Sequence, residues 1–310
     1  MMEHQSVLLT ECITNLAIKT DGIYVDGTLG RGGHSKEILK YLSKGHLYCF
    51  DKDKTAIAES RSILSSVSGN FTMINQDFRN MNTVLKEFGI NKIDGVLLDL
   101  GVSSPQFDDL DRGFSYRFDA LLDMRMDLDQ SLSAYEVVNN YSKEKLAELI
   151  YRYGEERYSR QIANQIEKAR LIKPITTTLE LVEIIKSALP NKVLQKKGHP
   201  AKQTFQAIRI EVNKELEALQ EGLKAAIEML NEDGRICVIA FHSLEDRIVK
   251  ELFREYCDVD RLDRRIPINP QDIEVAKYEL VTKKPIVASA QEIAINNRSR
   301  SAKLRVLRKR

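Results

Sequence analysis

The stretch VDGTLGRGGHS, residues 25–35, decides how this chain is read. Ile23, Tyr24 and Val25 end an apolar run, and Asp26 stands where it stops. Gly27, Gly30, Gly32 and Gly33 follow. Glycine lets a backbone turn tightly and approach a ligand that a Cβ would hold off. Behind them Ile38, Leu39 and Leu42 fall at helical spacing. A strand, a glycine turn and a helix start together predict a small-molecule loop in an open α/β sheet.

Working outward, the pattern repeats. A second apolar run, 46–50, ends in Asp51, a carboxylate placed to accept both hydroxyls of a ribose. Asp51 or Asp53 equally suits the cap of a helix carrying Ala56, Ile57, Ile63 and Leu64. A third run, 71–75, leads into Gln76, Asp77 and Phe78, where the ring either stacks on an adenine or belongs to the core. Met81, Val84, Leu85 and Phe88 mark a short amphipathic helix. The fourth run, 93–98, leads into Asp99 and a turn through Ser104, Pro105 and Gln106. A dinucleotide fingerprint requires G-x-G-x-x-G. Gly30 and Gly32 supply its first two glycines, but its third place is Ser35. An acid ahead of the glycines is closer to the adenosylmethionine loop of class I methyltransferases.

Enzymes that methylate exocyclic amines place an acid or amide and a proline turn at the end of the fourth strand. Their target nitrogen is a poor nucleophile, because its lone pair is delocalised into the ring. Polar acceptors on the amino protons draw it toward a tetrahedral shape and aim the lone pair at the methyl group. The turn at Ser104, Pro105 and Gln106 matches the aromatic-ended motif of such enzymes only in part.

Six segments then occur in order: VDGTLGRGGHS, LLDLGVSSPQ (97–106), DMRMD (123–127), YGEERYSRQIA (153–163), HPAKQTFQAIRIEVN (199–213) and FHSLEDRIVK (241–250). Together they resemble the MraW family of small-subunit ribosomal RNA methyltransferases, over nearly the whole chain. The resemblance implies S-adenosylmethionine as cofactor and N4 of a cytidine in bacterial 16S ribosomal RNA as target, within the small ribosomal subunit. It carries cofactor roles to Gly32, Gly33, His34, Asp51, Phe78, Asp99 and Gln106. Asp99 is also the candidate catalytic residue. The implied fold is α/β, a class I (Rossmann-like) methyltransferase. Its expected sheet is seven-stranded and mostly parallel, with an inserted helical domain.

The chain has 310 residues, enough for two domains, with 43% hydrophobic residues. No apolar run reaches membrane-spanning length, and the N-terminus lacks an export signal. Cys12, Cys49, Cys237 and Cys257 show neither metal nor redox spacing, so a reduced, cytoplasmic protein is expected. A net charge of +2 alone says nothing of nucleic acid, but its placement does. Arg298, Arg300, Lys303, Arg305, Arg308, Lys309 and Arg310 crowd the C-terminus without an acid. Lys192, Lys196, Lys197 and Lys202 form a second basic stretch around Gly198. Either is a phosphate-binding segment or a solubilising one. Lys196, Lys197, His199, His242 and Arg305 are the candidate RNA contacts; for His199 and His242 a structural hydrogen bond is the competing role.

Strand–helix alternation stops after Gln106 and returns at 235–241. The expected division is a methyltransferase domain, 1–108 and 205–310, interrupted by a helical domain, 109–204, serving as lid or RNA holder. Within the insertion Ser142 is a predicted N-cap, and Thr177 with Glu180 a capping box. From Phe205 to Leu230 apolar residues keep helical spacing. One helix of that length would reach roughly 40 Å, so a bend or a linking helix is expected. Ser243 with Asp246 reads as a further capping box, and strands near 278–282 and 303–308 complete seven. His34, at a helix start, can offer its backbone N–H to a carboxylate. The acids of DMRMD are expected to pair with Arg or Lys of the insertion, or to help shape the target pocket, rather than bind metal. Two other functions share parts of this pattern: a non-catalytic ribosome assembly factor and a nicotinamide-dependent dehydrogenase.

Overall fold

The computed structural model describes residues 6–101, 109–258 and 276–310. The chain divides into two compact units, Met1–Gly101 with Leu216–Arg310, and Val102–Glu215.

The first unit opens with helix α1 (Leu9–Leu16), then alternates β1 (Ile23–Asp26), α2 (Gly33–Leu39), β2 (His46–Phe50), α3 (Lys54–Ser65), β3 (Phe71–Ile74), α4 (Met81–Glu87) and β4 (Ile93–Asp99). These four strands pair in parallel in the order β3-β2-β1-β4. Their residues face two separate cores in alternation. Val25, Val96 and Leu98 belong to one core, and Tyr24, Leu47 and Leu97 to the other. Apolar residues on both faces are what a strand covered on both sides by helices requires. β1 lies between β2 and β4, so the chain leaves it in opposite directions, and the crevice that binds ligands in such sheets opens at its C-terminal end. The glycine turn sits there.

The second unit is helical: α5 (Ala134–Asn140), α6 (Lys143–Gly154), α7 (Ser159–Arg170), α8 (Thr178–Ser187), α9 (Asn191–Leu194) and α10 (Lys202–Asn213). Ser142 caps α6 by accepting from Lys145 N, and Thr177 with Glu180 forms the capping box of α8. The run that begins at Phe205 is two helices. α10 ends at Asn213, Lys214 takes a left-handed φ of 49°, and α11 (Glu215–Met229) follows. Asn213 fixes the break. Its buried amide donates to the Met124 and Arg209 carbonyls and accepts from Met126 N. Arg209 grips Glu215 with two parallel bonds of 2.9 and 2.8 Å.

The first unit is completed by β5 (Leu230–Ala240), α12 (Ser243–Cys257), β6 (Tyr278–Leu280), β7 (Ile286–Val287), α13 (Ala290–Ile295) and β8 (Lys303–Lys309). β5 adds in parallel to β4, and β8 runs antiparallel between β5 and β6. Among the described residues the sheet has eight strands, seven in one path as expected and one off it. The extra one, β7, is two residues paired to Leu304 and Lys303, too short to leave a periodic signal. β5 begins earlier than the pattern predicts, because the register shifts between Leu230 and Arg235 and Asp233 turns through a φ of 63°. Lys303–Lys309 of the C-terminal basic segment are an interior strand.

Candidate functional site

Asp26 ends β1 almost wholly buried, where its Oδ2 accepts from Ser35 Oγ at 2.6 Å and its Oδ1 from Thr28 N at 3.0 Å. Burial pushes its carboxyl up to about 6, against the pull of those two bonds. Ser35, at the place of the dinucleotide motif's third glycine, is thus a buried tie between turn and strand. The turn itself needs Gly32, whose φ of 72° lies in the left-handed region.

Two acids flank this turn on opposite sides of β1. Asp51 follows β2; its Oδ2 accepts from Gly30 N at 2.9 Å and its Oδ1 from Asp53 N at 2.8 Å. Burial raises it to about 6. Each of its oxygens keeps a further lone pair for a hydroxyl donor. The helix cap on this side is Asp53, which accepts from Thr55 N. Asp99 ends β4, with its backbone N–H donating to Thr28 Oγ1 at 2.6 Å. Its Oδ1 is buried without a hydrogen-bond partner among the described residues. Burial, then Asp26 and Glu245, push its carboxyl to about 8. A buried acceptor left unpaired is costly unless something arrives to use it.

His34 fills the space beside Asp99. Its Nδ1 lies 3.6 Å from Asp99 Oδ2, and its Nε2 lies 3.0 Å from the Val7 carbonyl. Its side chain therefore does more than the backbone contact expected of it. Gly33 carries a different constraint: a Cβ built there would stand 2.0 Å from Ser6 Oγ. Phe78 is 8% exposed, in the core with Val25, Leu98 and Leu223, and its ring lies over Gly222. Most of its surface is spent on packing. Gln106 lies outside the described residues.

The RNA candidates fall in both units. Lys196 and Lys197 are exposed in the second unit. His199 beside them stacks on Tyr116, with ring centroids 4.4 Å apart, and its Nδ1 accepts from Ala201 N. Burial, then Lys186 and Arg117, hold its basicity below the usual imidazole value. In the first unit Arg305 is bound to Asp246 at 2.7 Å, and Lys303 joins the same carboxylate at 3.0 Å. Arg308 pairs with Asp233 and Glu279, and Arg310 with Glu279. These pairings correct the image of an unbalanced basic segment, since strand pairing brings distant acids to it. Asp246 is consequently no capping residue. α12 starts one residue earlier than expected, at N-cap His242, with Glu245 Oε2 accepting from Phe241 N and His242 N. His242 Nε2 lies 3.1 Å from Glu245 Oε1 without hydrogen-bond alignment.

In the DMRMD segment Asp123 pairs with Arg125 two residues on, at 2.7 Å, and Arg125 also donates to the Leu128 and Gln130 carbonyls. Asp127 caps Asp129 N. Sequence reasoning missed Thr28, Ser6 and the roles of Asp26 and Ser35. Asp26 left a signal as the acid ahead of the glycines, and Ser35 as the residue that breaks the dinucleotide spacing.

Among solved structures, an rRNA methylase from Streptococcus thermophilus aligns over 100% of this chain and 98% of its own, at 13% identity and a TM-score of 0.43. A SAM-dependent O-methyltransferase from Thermotoga maritima aligns over 100% and 68%, at 9% identity and a TM-score of 0.43. NSun6 from Pyrococcus horikoshii aligns over 98% and 52%, at 15% identity and a TM-score of 0.44. At such scores these likenesses assign nothing to this chain. The model of the MraW methylase family, by contrast, matches residues 1–310, the whole length. The acids flanking the glycine turn and the unspent acceptor on Asp99 belong to a methyltransferase, and the chain is a member of the MraW methylase family.

Proposed function

We propose that this protein transfers a methyl group from S-adenosylmethionine to the N4 amine of a cytidine in bacterial 16S ribosomal RNA. The observation that carries the reading is the buried, unpartnered Oδ1 of Asp99 beside the glycine turn. Bound there, S-adenosylmethionine supplies a methyl group on a sulfonium, an electrophile that an amine displaces. Asp51 takes the ribose hydroxyls on its remaining lone pairs, Gly32 gives the turn its left-handed bend, Gly33 leaves room for the Ser6 hydroxyl, and Phe78 contributes an apolar wall toward the adenine. Asp99 accepts from the amino group of the target, drawing its lone pair out of conjugation and aiming it. The methylated amine sheds its proton readily, so the site orients more than it deprotonates.

The exposed Lys196 and Lys197, with the Tyr116–His199 stack, form the RNA-holding part of the second unit. Cations beside a stacked aromatic pair suit single-stranded RNA, whose phosphates and unstacked bases they meet. Arg305, spent on Asp246, serves the sheet, and the same holds for the other paired cations of β8. The protein works in the cytoplasm on the small subunit.

The test is nucleoside analysis of small-subunit RNA from cells lacking the protein. N4-methylcytidine should be missing, return with the intact gene, and stay missing with Asp99→Ala. Its presence without the protein would end the assignment. A non-catalytic assembly factor would let Asp99→Ala restore normal subunits.

A further inference from the structure

Of the three residues ahead of α1, two meet the cofactor turn and the third is tied to α13. Ser6 places its hydroxyl where a side chain on Gly33 would be, 2.0 Å from that Cβ position. The Val7 carbonyl is bound by His34 Nε2 at 3.0 Å. The Leu8 N–H donates to Glu292 Oε1 at 2.8 Å, which ties this strap to α13 at the far end of the chain. Leu8 is wholly buried with a left-handed φ of 50°, so the backbone is bent in a way that a non-glycine residue adopts only when its surroundings hold it there.

We infer that Ser6 is a cofactor-positioning residue, whose hydroxyl bonds the amino-acid tail of S-adenosylmethionine. The direction follows from the sheet. Asp51 holds the Gly30 end of the turn on the β2 side, where the ribose belongs. Gly33 and His34 lie at the other end, on the β4 side next to Asp99. A nucleoside anchored at Asp51 therefore extends its amino-acid tail toward Gly33, and the Ser6 hydroxyl stands there with no hydrogen bond among the described residues. His34, which needs its ring to hold Val7, sets the strap's position. This inference rests on the cofactor reading above.

Two ligands separate the tail from the nucleoside: S-adenosylhomocysteine, which has the tail, and 5′-methylthioadenosine, which lacks it. Titration calorimetry on the full chain should show Ser6→Ala weakening S-adenosylhomocysteine about tenfold, the range of one hydrogen bond to a charged group. Methylthioadenosine should bind the variant as it binds the parent. Gly33→Ala should also weaken S-adenosylhomocysteine, by forcing Ser6 from its seat. In the double variant Ser6→Ala/Gly33→Ala the clash is gone, so it should bind no worse than Ser6→Ala alone, which keeps the test valid even where Gly33→Ala folds poorly. Equal losses for both ligands, or none for either, overturn the role of Ser6. Failure of the parent protein to bind either ligand overturns the cofactor reading instead.

Discussion

His34 and Asp99 face each other beside the glycine turn, Nδ1 of one lying 3.6 Å from Oδ2 of the other. The Val7 carbonyl can only accept, so His34 carries a hydrogen on Nε2. The acid it faces keeps its own proton to about pH 8, because burial and the nearby Asp26 and Glu245 disfavour its charge. A cation bound beside Asp99 would favour its ionised form, and S-adenosylmethionine carries one on its sulfonium.

Removing that acid should separate binding from transfer. Asp99→Asn keeps shape and one acceptor, and its affinity for S-adenosylhomocysteine should stay within a few-fold of the parent. Transfer should fall by about a hundredfold or more, the scale of one oriented polar group in a transition state. Asp99→Ala should abolish it. Single-turnover methyl transfer with normal rates would remove Asp99 from the chemistry.

Proton linkage gives an independent check. Asp99 is raised to about 8 and Asp26 and Asp51 to about 6. In the unfolded chain these carboxyls lose their protons near pH 4 (about the free value). The folded state then binds more protons, so their contribution makes stability fall as pH rises from about 4 to about 8. A cationic ligand reverses the preference and should expel a proton. At pH 7 the binding heat of S-adenosylmethionine should depend on buffer ionisation enthalpy, and that of S-adenosylhomocysteine, lacking the sulfonium, less so. Heats indifferent to buffer would contradict the protonated acid.

Asp246 should matter for stability and not for catalysis. Burial alone would raise its carboxyl, but Arg305 and Lys303 outweigh that and hold it below the usual range. Asp246→Ala strands the Arg305 guanidinium, 12% exposed, and should cost about 2 kcal/mol in urea unfolding. Because its carboxyl is held low, the pair's contribution is present above about pH 4 and disappears as pH falls through the native value. Unchanged stability would return Arg305 to the list of RNA contacts.

Lys196 and Lys197 should behave in the opposite way. Replacing both with Ala should weaken binding to small subunits and lower the slope of log affinity against log salt by about 1.5, the share of two phosphate contacts. Cofactor affinity and unfolding midpoint should be untouched. An unchanged salt slope would place the RNA surface elsewhere.

How much of this the sequence carried depended on range. The first four strands, the glycine turn and the caps at Ser142 and Thr177 were legible because periodicity and capping are local. The start of α12 was misplaced by one residue. Ser243 with Asp246 and His242 with Glu245 share one spacing, and only the antiparallel partner β8, which claims Asp246, decides between them. The basic C-terminus looked unbalanced for the same reason, since Asp233, Asp246 and Glu279 reach it only through the sheet. Phe78 left core and ligand roles open, and its ring over Gly222 shows how far packing takes it. Ser6 was invisible, because nothing near it in the chain hints at Gly33.

The most direct test is transfer of labelled methyl from S-adenosylmethionine to small ribosomal subunits purified from cells lacking this protein, followed by digestion to nucleosides. The expected result is label in N4-methylcytidine and in no other nucleoside. Cofactor binding with no such label on subunits, on their precursors or on free 16S RNA would keep the fold and contradict the substrate.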